Sequence, residues 1–496
     1  MENDLEKYQI FIGNEWRDSA TKETFESYNP YSGEPWAKIP KCDARDVDAA
    51  VDAAHDALYS GPWGQMPPTQ RGALMRKLAE LIQRDADKLA TVEVRDNGKL
   101  LAEVRGQVSF LPQWLYFYAG LADKVTGSVV PIDRPDMFTY TLREPVGVVA
   151  AIVPWNSPLM LMMWKLAPAL AAGCTFVLKP SEYTSASALQ FAALVREAGF
   201  PEGVFNVVTG FGKEVGDPLT SHPKVAKVAF TGGEGAGRKI MENASADFKR
   251  LTLELGGKSA QIVFPDADLA AAVSGGIAGI FAATGQTCIA GSRLLVHEGI
   301  YDAYLERFVT SARTAQMGDP MELTTQVGPV TTQPQFDRIL SYIDIAKEEG
   351  ARCALGGGPA VRPECGNGWF IEPTVFADVR NDMRIAQEEV FGPVVSVIPF
   401  SEDEEAYAIA NDTEYGLAAG VWTSSIKRAT VAPRRLRAGT VWVNTYRAAS
   451  VMMPFGGVKK SGFGRENGIE AIEQYLETKS VWLSYEAETK NPFVMQ

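Results

Sequence analysis

Histidine is nearly missing from this chain. Its three residues, His55, His222 and His297, carry no motif that would pair them with a cysteine, so a papain-like dyad is left without support. Cysteine is scarce as well. Cys42, Cys174, Cys288, Cys353 and Cys365 are odd in number and nowhere form CxxC, which argues against a disulfide framework or a zinc site and for a reducing compartment. No metal is expected. A basic excess is absent too: the formal net charge is −13, and a nucleic-acid partner would call for a basic face. No uninterrupted apolar run is long enough to span a bilayer. The longest candidate, 146–172, is broken by Pro154, Asn156, Pro158 and Lys165, and it reads as strand, turn and buried helix. The opening Met1-Glu2-Asn3-Asp4-Leu5-Glu6-Lys7 is acidic and lacks the apolar core of a signal peptide. The expectation is a cytoplasmic protein with no membrane partner. Long repeats and low-complexity tracts are also lacking.

What is present is a long, ordinary globular composition. With 496 residues, 46% hydrophobic and 22% charged, the chain exceeds one hydrophobic core, and two or three domains are expected. From about residue 145, short β-rich runs alternate with helical segments. Strands are expected at 147–153, 175–178, 204–208 and 225–230, with helices at 159–172, 185–198 and after Gly232-Gly233. A second series follows: strands at 261–264, 293–297, 370–376, 394–400 and 440–444, and a small-residue helix from Leu269 to about Thr284. This alternation predicts an α/β fold with two doubly wound parallel sheets, whose strand ends form a ligand crevice. Residues 126–143, β-rich around Pro131 and Pro135, read as an arm. The stretch 480–485 alternates like an edge strand. Both are natural pairing surfaces, so a homo-oligomer is expected.

The chemistry-bearing residues lie around these strand ends. Cys288 stands in Gly285-Gln286-Thr287-Cys288-Ile289-Ala290-Gly291-Ser292-Arg293. Its neighbours are too small to bury it deeply, and Arg293 is expected to lend a positive charge that activates the thiol. Glu254 ends an apolar run before Gly256-Gly257, where partial desolvation would raise its pKa toward general-base work. A thiol that forms a covalent adduct and a base that hydrolyses it imply two-step acyl chemistry. Asn156, in Pro154-Trp155-Asn156-Ser157-Pro158, can donate its side-chain N–H to an oxyanion or cap the following helix. Lys179 and Glu182 can bracket a ribose diol, and a carboxylate there disfavours a 2′-phosphate. The turn Thr231-Gly232-Gly233-Glu234-Gly235-Ala236-Gly237 does not fit GxGxxG. It still has the look of a phosphate loop at a helix N-terminus.

Taken in order, Pro154-Trp155-Asn156, Lys179-Pro180-Ser181-Glu182, Phe230-Thr231-Gly232, Leu253-Glu254-Leu255-Gly256-Gly257-Lys258 and Gly285-Gln286-Thr287-Cys288 resemble the NAD(P)-dependent aldehyde dehydrogenase superfamily. So do Glu388-Glu389-Val390-Phe391-Gly392-Pro393 and Pro454-Phe455-Gly456-Gly457. The resemblance runs essentially end to end. It implies a Rossmann-like cofactor domain (1–125 and 144–256), a catalytic domain (257–470) and a small β oligomerisation element (126–143 and 471–496). It implies a homotetramer or homodimer, NAD as cofactor with NADP possible, and a small-molecule aldehyde as substrate. By resemblance Cys288 is the nucleophile, Asn156 holds the oxyanion and Glu254 activates water. Val153, Pro154, Trp155, Lys179, Glu182, Gly212, Thr231, Gly232, Gly233, Gly237, Leu255, Glu389 and Phe391 match cofactor contacts. Many relatives carry Ser where this chain has Gly233, which should weaken or reshape the pyrophosphate contact. Ser157, Leu161, Trp164, Thr287, Ile289, Arg447, Ala449 and Phe455 match the substrate tunnel. Small Ser157 and Ala449 imply a roomy entrance and a medium to bulky aldehyde; Arg447 could meet a substrate carboxylate or form a structural salt bridge. Three rival readings are a coenzyme A-acylating branch, a non-catalytic binding protein and a cofactor-free thiol hydrolase. Glu254 opposes the first, the intact Cys288, Glu254 and Asn156 oppose the second, and the cofactor-matching residues oppose the third.

Overall fold

The computed structural model describes residues 5–485 and Phe493. The last part of the expected oligomerisation element (486–492 and 494–496) and residues 1–4 lie outside the described residues.

The strand Val148–Ile152 shows why the first sheet is central and buried. Its side chains alternate between two cores. Val149 and Ala151 pack with the helix Pro158–Ala172, while Val148, Ala150 and Ile152 pack against Val47, Ala50 and Ala54 of the helix Ala44–Tyr59. With helices on both faces, the strand reads as a continuous apolar run rather than a polar–apolar alternation. Five strands of this sheet run parallel in the spatial order Arg250–Glu254, Val225–Thr231, Val148–Ile152, Thr175–Lys179, Phe205–Val207. Chain order reverses at Val148–Ile152, and a doubly wound sheet opens its crevice at such a switch point. The strands Ile10–Ile12 and Gly462–Phe463 add antiparallel edges. The latter returns to the first sheet from within the stretch expected to belong to the second unit.

The second sheet has seven strands, in the order Arg352–Leu355, Thr374–Ala377, Val394–Phe400, Arg293–His297, Ala260–Val263, Ala418–Trp422, Thr440–Val443. All its pairings are parallel except the first. It too buries both faces, Ile262 and Leu295 entering one core, Val263 and Leu294 the other. The two expected parallel sheets are therefore present. The expected arm and edge strand pair with each other: Met137–Pro145 and Leu476–Ser484 form an antiparallel ribbon over nine residue pairs.

Two expected elements differ. The helix expected to run to about Thr284 ends at Phe281, because Ala283 and Thr284 take left-handed φ of 52° and 54°. The Glu103 carboxylate accepts the Ala283 N–H at 2.9 Å and Gly328 O accepts the Thr284 hydroxyl at 3.2 Å, so long-range bonds hold a turn that local propensity would not choose. That turn delivers Cys288. The strand expected from Phe370 starts only at Thr374, since Pro373 has no N–H for the ladder. Among the described residues no helix is long and apolar enough to cross a membrane, and no group of three or more His, Cys, Asp or Glu could hold a metal.

Candidate active site

A cleft of about 370 Å³ opens at the switch point of the first sheet. Four segments form its walls. The turn after Val148–Ile152 brings Pro154, Trp155 and Asn156. The end of Val225–Thr231 brings Thr231, Gly232 and Gly233, and the end of Arg250–Glu254 brings Glu254 and Leu255. Cys288, Glu389 and Phe391 arrive from the second unit, and Leu161 also lines the cleft. Glu234 and Gly235 of the expected phosphate loop and Gly256 of the Glu254 motif line it too, as do Gln335, Arg338 and Tyr415, which sequence reasoning missed.

Cys288 is half-buried. Burial pushes its thiol up to about 12, Glu389 and Glu254 adding to the rise while the N–H groups of Cys288 and Ile289 oppose it. The thiol at rest is neutral. The expected activation by Arg293 does not occur, because the strand Arg293–His297 carries that side chain into the second core. There its guanidinium donates to Lys258 O, Asn381 Oδ1, Ile409 O and Ala410 O. Cys288 and Glu254 line the same cleft, and the bare Gly256 and Gly257 between them leave room for Glu389 and for the Cys288 backbone. A Cβ on Gly257 would lie 2.6 Å from Cys288 O, and one on Gly256 would strike the Glu389 carboxylate.

Glu254 is buried, and among the described residues neither carboxylate oxygen has a hydrogen-bond partner. Burial raises its pKa well above the usual carboxylate range; Glu466 adds to this, and Lys165 and Arg465 oppose it. Behind it, the buried Lys165 ammonium pairs with Glu466 and donates to Thr231 Oγ1 at 2.7 Å. In the sequence Lys165 showed only as an interruption of an apolar run; a charge in an otherwise wholly buried helix was the available signal. Glu466 carried none.

Asn156 donates one amide hydrogen to Gln286 O at 2.9 Å. It does not cap the helix: the cap residue is Ser157, without a side-chain cap bond. The second Nδ2 hydrogen is thus free for another acceptor. Glu389 accepts the Gly257 N–H at 2.9 Å, and burial lifts its carboxyl to about 7. Phe391 holds a left-handed φ of 58° and sets its ring edge-on to Trp155 at 5.2 Å. The helix Glu234–Ser245 begins on the cleft with Gly233 as an unadorned cap, so its first N–H groups lack side-chain acceptors. Gly237 lets that helix approach Leu255, which a Cβ would meet at 2.9 Å.

The remaining expected residues lie off the cleft wall. Val153 is buried beneath it, bonded to Lys179 O. Lys179 and Glu182 sit 3.6 Å apart at the end of the neighbouring strand, and the turn starting at Gly212 packs nearby. Thr287 and Ile289 are the chain neighbours of Cys288. Trp164 stacks on Trp114 at 6.2 Å and meets Phe455 edge-on at 5.1 Å. Ser157 accepts from Lys99, Arg447 donates to Ala278 O at 3.1 Å, and Ala449 is exposed.

This arrangement can attack a carbonyl, hold the resulting oxyanion and supply a base. The family model described as the aldehyde dehydrogenase family matches residues 16–481. The chain belongs to that family. As an aldehyde dehydrogenase it is an oxidoreductase acting on aldehydes. It is 46% identical over 99% of its length to a (Z)-2-((N-methylformamido)methylene)-5-hydroxybutyrolactone dehydrogenase of Acinetobacter baylyi, covering 100% of that protein. To the human mitochondrial aldehyde dehydrogenase it is 46% identical, covering 95% of this chain and 91% of that one. Among solved structures, the NAD+ complex of a Bacillus cereus aldehyde dehydrogenase superposes with a TM-score of 0.94 at 44% identity, over 97% of each chain. A Staphylococcus aureus betaine aldehyde dehydrogenase with NAD+ gives 0.96 at 39% identity, over 98% of this chain and 97% of that one.

Proposed function

We propose that this aldehyde dehydrogenase converts a medium to bulky aldehyde to its carboxylic acid with NAD as hydride acceptor, releasing product by hydrolysis. The observation that carries the reading is one cleft shared by a lone thiol, an unpaired buried carboxylate and a bare helix N-terminus.

The residues present fit a dinucleotide. Cβ atoms on Gly233 and Gly235 would meet nothing within 4 Å, so backbone N–H groups are open to a pyrophosphate. Lys179 and Glu182 would hold the adenosine ribose, and Glu389 and Phe391 the nicotinamide end. The Glu182 carboxylate would repel a ribose 2′-phosphate, which favours NAD over NADP. When bound, NAD supplies a cationic ring that accepts hydride.

The chain's own residues supply the rest. Cys288 gives up its proton to solvent and its sulfur attacks the aldehyde carbon. The oxyanion of the thiohemiacetal is held by the free Asn156 Nδ2 hydrogen and the Cys288 N–H. Oxidation leaves a thioester on sulfur. Glu254 then takes a proton from the attacking water, its raised pKa suiting it to act near neutral pH. Lys165 and Glu466 act through Glu254 as positioning residues. A coenzyme A acceptor would leave Glu254 without a task.

We assign 1–125 and 144–256 to cofactor binding, 257–470 to catalysis and the ribbon with its flanks to assembly. Phe138, Leu142, Trp482 and Leu483 are exposed on that ribbon, an apolar surface suited to a homodimer or homotetramer. The acidic, cysteine-poor chain suits the cytoplasm. Reduced nicotinamide formation with an aldehyde panel tests the reading. Turnover with NAD that disappears in Cys288→Ala is expected; no reduction of NAD or NADP despite intact nucleotide binding would overturn it.

A further inference from the structure

Asn156, proposed above to hold the oxyanion, gives its other amide hydrogen to Gln286 O. Both ends of that bond belong to a closed ring of hydrogen bonds behind the cleft. Lys99 Nζ donates to Ser157 Oγ at 2.5 Å, and Ser157 Oγ donates to Asn156 O at 2.8 Å. Asn156 Nδ2 reaches Gln286 O at 2.9 Å. The Gln286 side chain is fixed in turn: its Oε1 accepts the Thr331 N–H at 2.9 Å, and its Nε2 donates to Pro329 O at 3.3 Å. Thr331 Oγ1 donates to Asn97 O at 2.6 Å, and Asn97 Oδ1 accepts the Lys99 N–H at 2.9 Å, which closes the ring. Asn97, Lys99, Asn156, Ser157, Gln286 and Thr331 are all buried, and a hydrogen bond sheltered from water holds its partners more firmly.

The ring joins the two units where the reaction takes place. Asn156 follows the first-sheet strand Val148–Ile152, and Gln286 stands two positions before Cys288. Residues 286–288 belong to no helix or strand, so nothing within that stretch fixes where it lies. The clamp comes from the end of the helix Ala86–Asn97, where Gly98 turns the chain with a left-handed φ of 72°. A Cβ on Gly98 would strike Pro329 at 2.8 Å and Pro30 at 2.9 Å, so this close approach requires glycine. A carbonyl can only accept, so Gln286 O makes Asn156 present its amide nitrogen. The direction of the second amide hydrogen is then set by where Gln286 O stands.

We infer that Lys99, Ser157, Gln286 and Thr331 are positioning residues that hold the Asn156 amide in register with Cys288 across the junction of the two units. The inference rests on the oxyanion role proposed above and extends it to the residues behind the donor. Lys99 anchors the Asn156 backbone through Ser157: an ammonium only donates, which leaves the Ser157 hydroxyl to donate onward. Thr331 and the Gln286 side chain anchor the carbonyl that aims the Asn156 amide. A misplacement of about 1 Å at such a site costs about 10² in rate.

The burst of reduced nicotinamide in the first turnover, followed by stopped flow with NAD in excess, tests the inference. Asn156→Ala should slow the burst about 10²- to 10³-fold, the usual loss for one oxyanion donor. Thr331→Val removes only the hydroxyl and should slow it about tenfold, short of a full misplacement. Thr331→Ser keeps the hydroxyl and should restore the wild-type rate. Lys99→Met, checked by its melting curve, should act like Thr331→Val. Alkylation of Cys288 by iodoacetamide forms no oxyanion, so its rate should stay unchanged in each variant, whereas a merely loosened fold would shift it. In an Asn156→Ala background, Thr331→Val and Lys99→Met should cost nothing further, because residues that act through one group do not add. Full additivity in that background, or a burst unmoved by both Thr331→Val and Lys99→Met, would overturn the inference and leave the oxyanion role standing. A burst unmoved by Asn156→Ala would bring down both.

Discussion

Two carboxylates follow strands of the two parallel sheets, and the protein treats them in opposite ways. Asp266, just after Ala260–Val263, is saturated: Thr423 and Ser424 hydroxyls, Ser424 and Ser425 N–H groups and the Arg428 guanidinium all donate to it. Burial alone would raise its pKa, but those bonds prevail and hold it well below the usual carboxylate range. Glu254, ending Arg250–Glu254, has no hydrogen-bond partner among the described residues and is raised. Hydrogen bonds favour the charged form, desolvation the neutral one. A carboxylate that must pin a loop is given donors. The one proposed to take up a proton is denied them, and the fold bears the cost at that point.

Exchanging each for a neutral residue should separate the two roles. Glu254→Gln should lower the hydrolytic rate about 10²- to 10⁴-fold, the usual range for a lost general base. Rapid-quench measurements should show a burst of reduced nicotinamide followed by an accumulated thioester. Its stability should move the other way. The raised pKa of Glu254 contributes stability only at acidic pH and loses it as pH rises through the raised value. Melting curves should therefore show Glu254→Gln ahead of wild type at neutral pH, with the gap closing in acid. Asp266→Ala should reverse the pattern: a loss of about 3 kcal/mol in denaturant titrations, with kcat/KM retained. Its lowered pKa contributes stability above the ordinary carboxylate range and loses it as pH falls, so this gap also closes in acid. Equal stability losses in the two variants would break the comparison.

The environment of Glu254 can be altered without touching it. Glu466 raises its pKa and Lys165 lowers it. Glu466→Gln should therefore move the acidic limb of the deacylation rate to lower pH. Lys165→Met should move it to higher pH and destabilise the fold, since it strands Glu466 in the interior. Limbs that move together, or not at all, would mean that Glu254 is not the titrating base.

Much of this was readable from the chain, for a physical reason. Sheets covered on both faces make their strands continuous apolar runs, so Val148–Ile152 and Val394–Phe400 stand out. Cys288, Glu254 and Asn156 stand out because small residues and strand ends surround them. What stayed hidden is what distance in sequence hides. Arg293 lies five positions after Cys288 yet points into another core, since a strand starts at Arg293 itself. Glu466 meets Lys165 across 301 positions, and no local pattern announces it. Lys99 and Ser157 are 58 apart, and no local pattern joins them.

The smallest effect sharpens the comparison at the cofactor end, where acceptors for helix N–H groups are missing instead of donors for a carboxylate. Gly233 has an extended backbone (φ −78°, ψ 155°) and open space around its Cβ position, so Ser fits there without strain. A Ser at a cap position accepts a hydrogen bond from the first helical turn and stabilises the helix over Gly by about a few tenths of a kcal/mol, so Gly233→Ser should raise the melting temperature by about a degree or less. Its hydroxyl can also donate to a pyrophosphate oxygen. One added neutral hydrogen bond is worth about 1 kcal/mol, which corresponds to NAD binding about fivefold tighter in a fluorescence titration. The two uses of the hydroxyl compete. A melting temperature that rises while NAD binding weakens would show the cap consuming the N–H groups the phosphate needs, and Gly233 would then be the residue that keeps this helix end bare for its ligand, as the Glu254 carboxylate is left bare of donors.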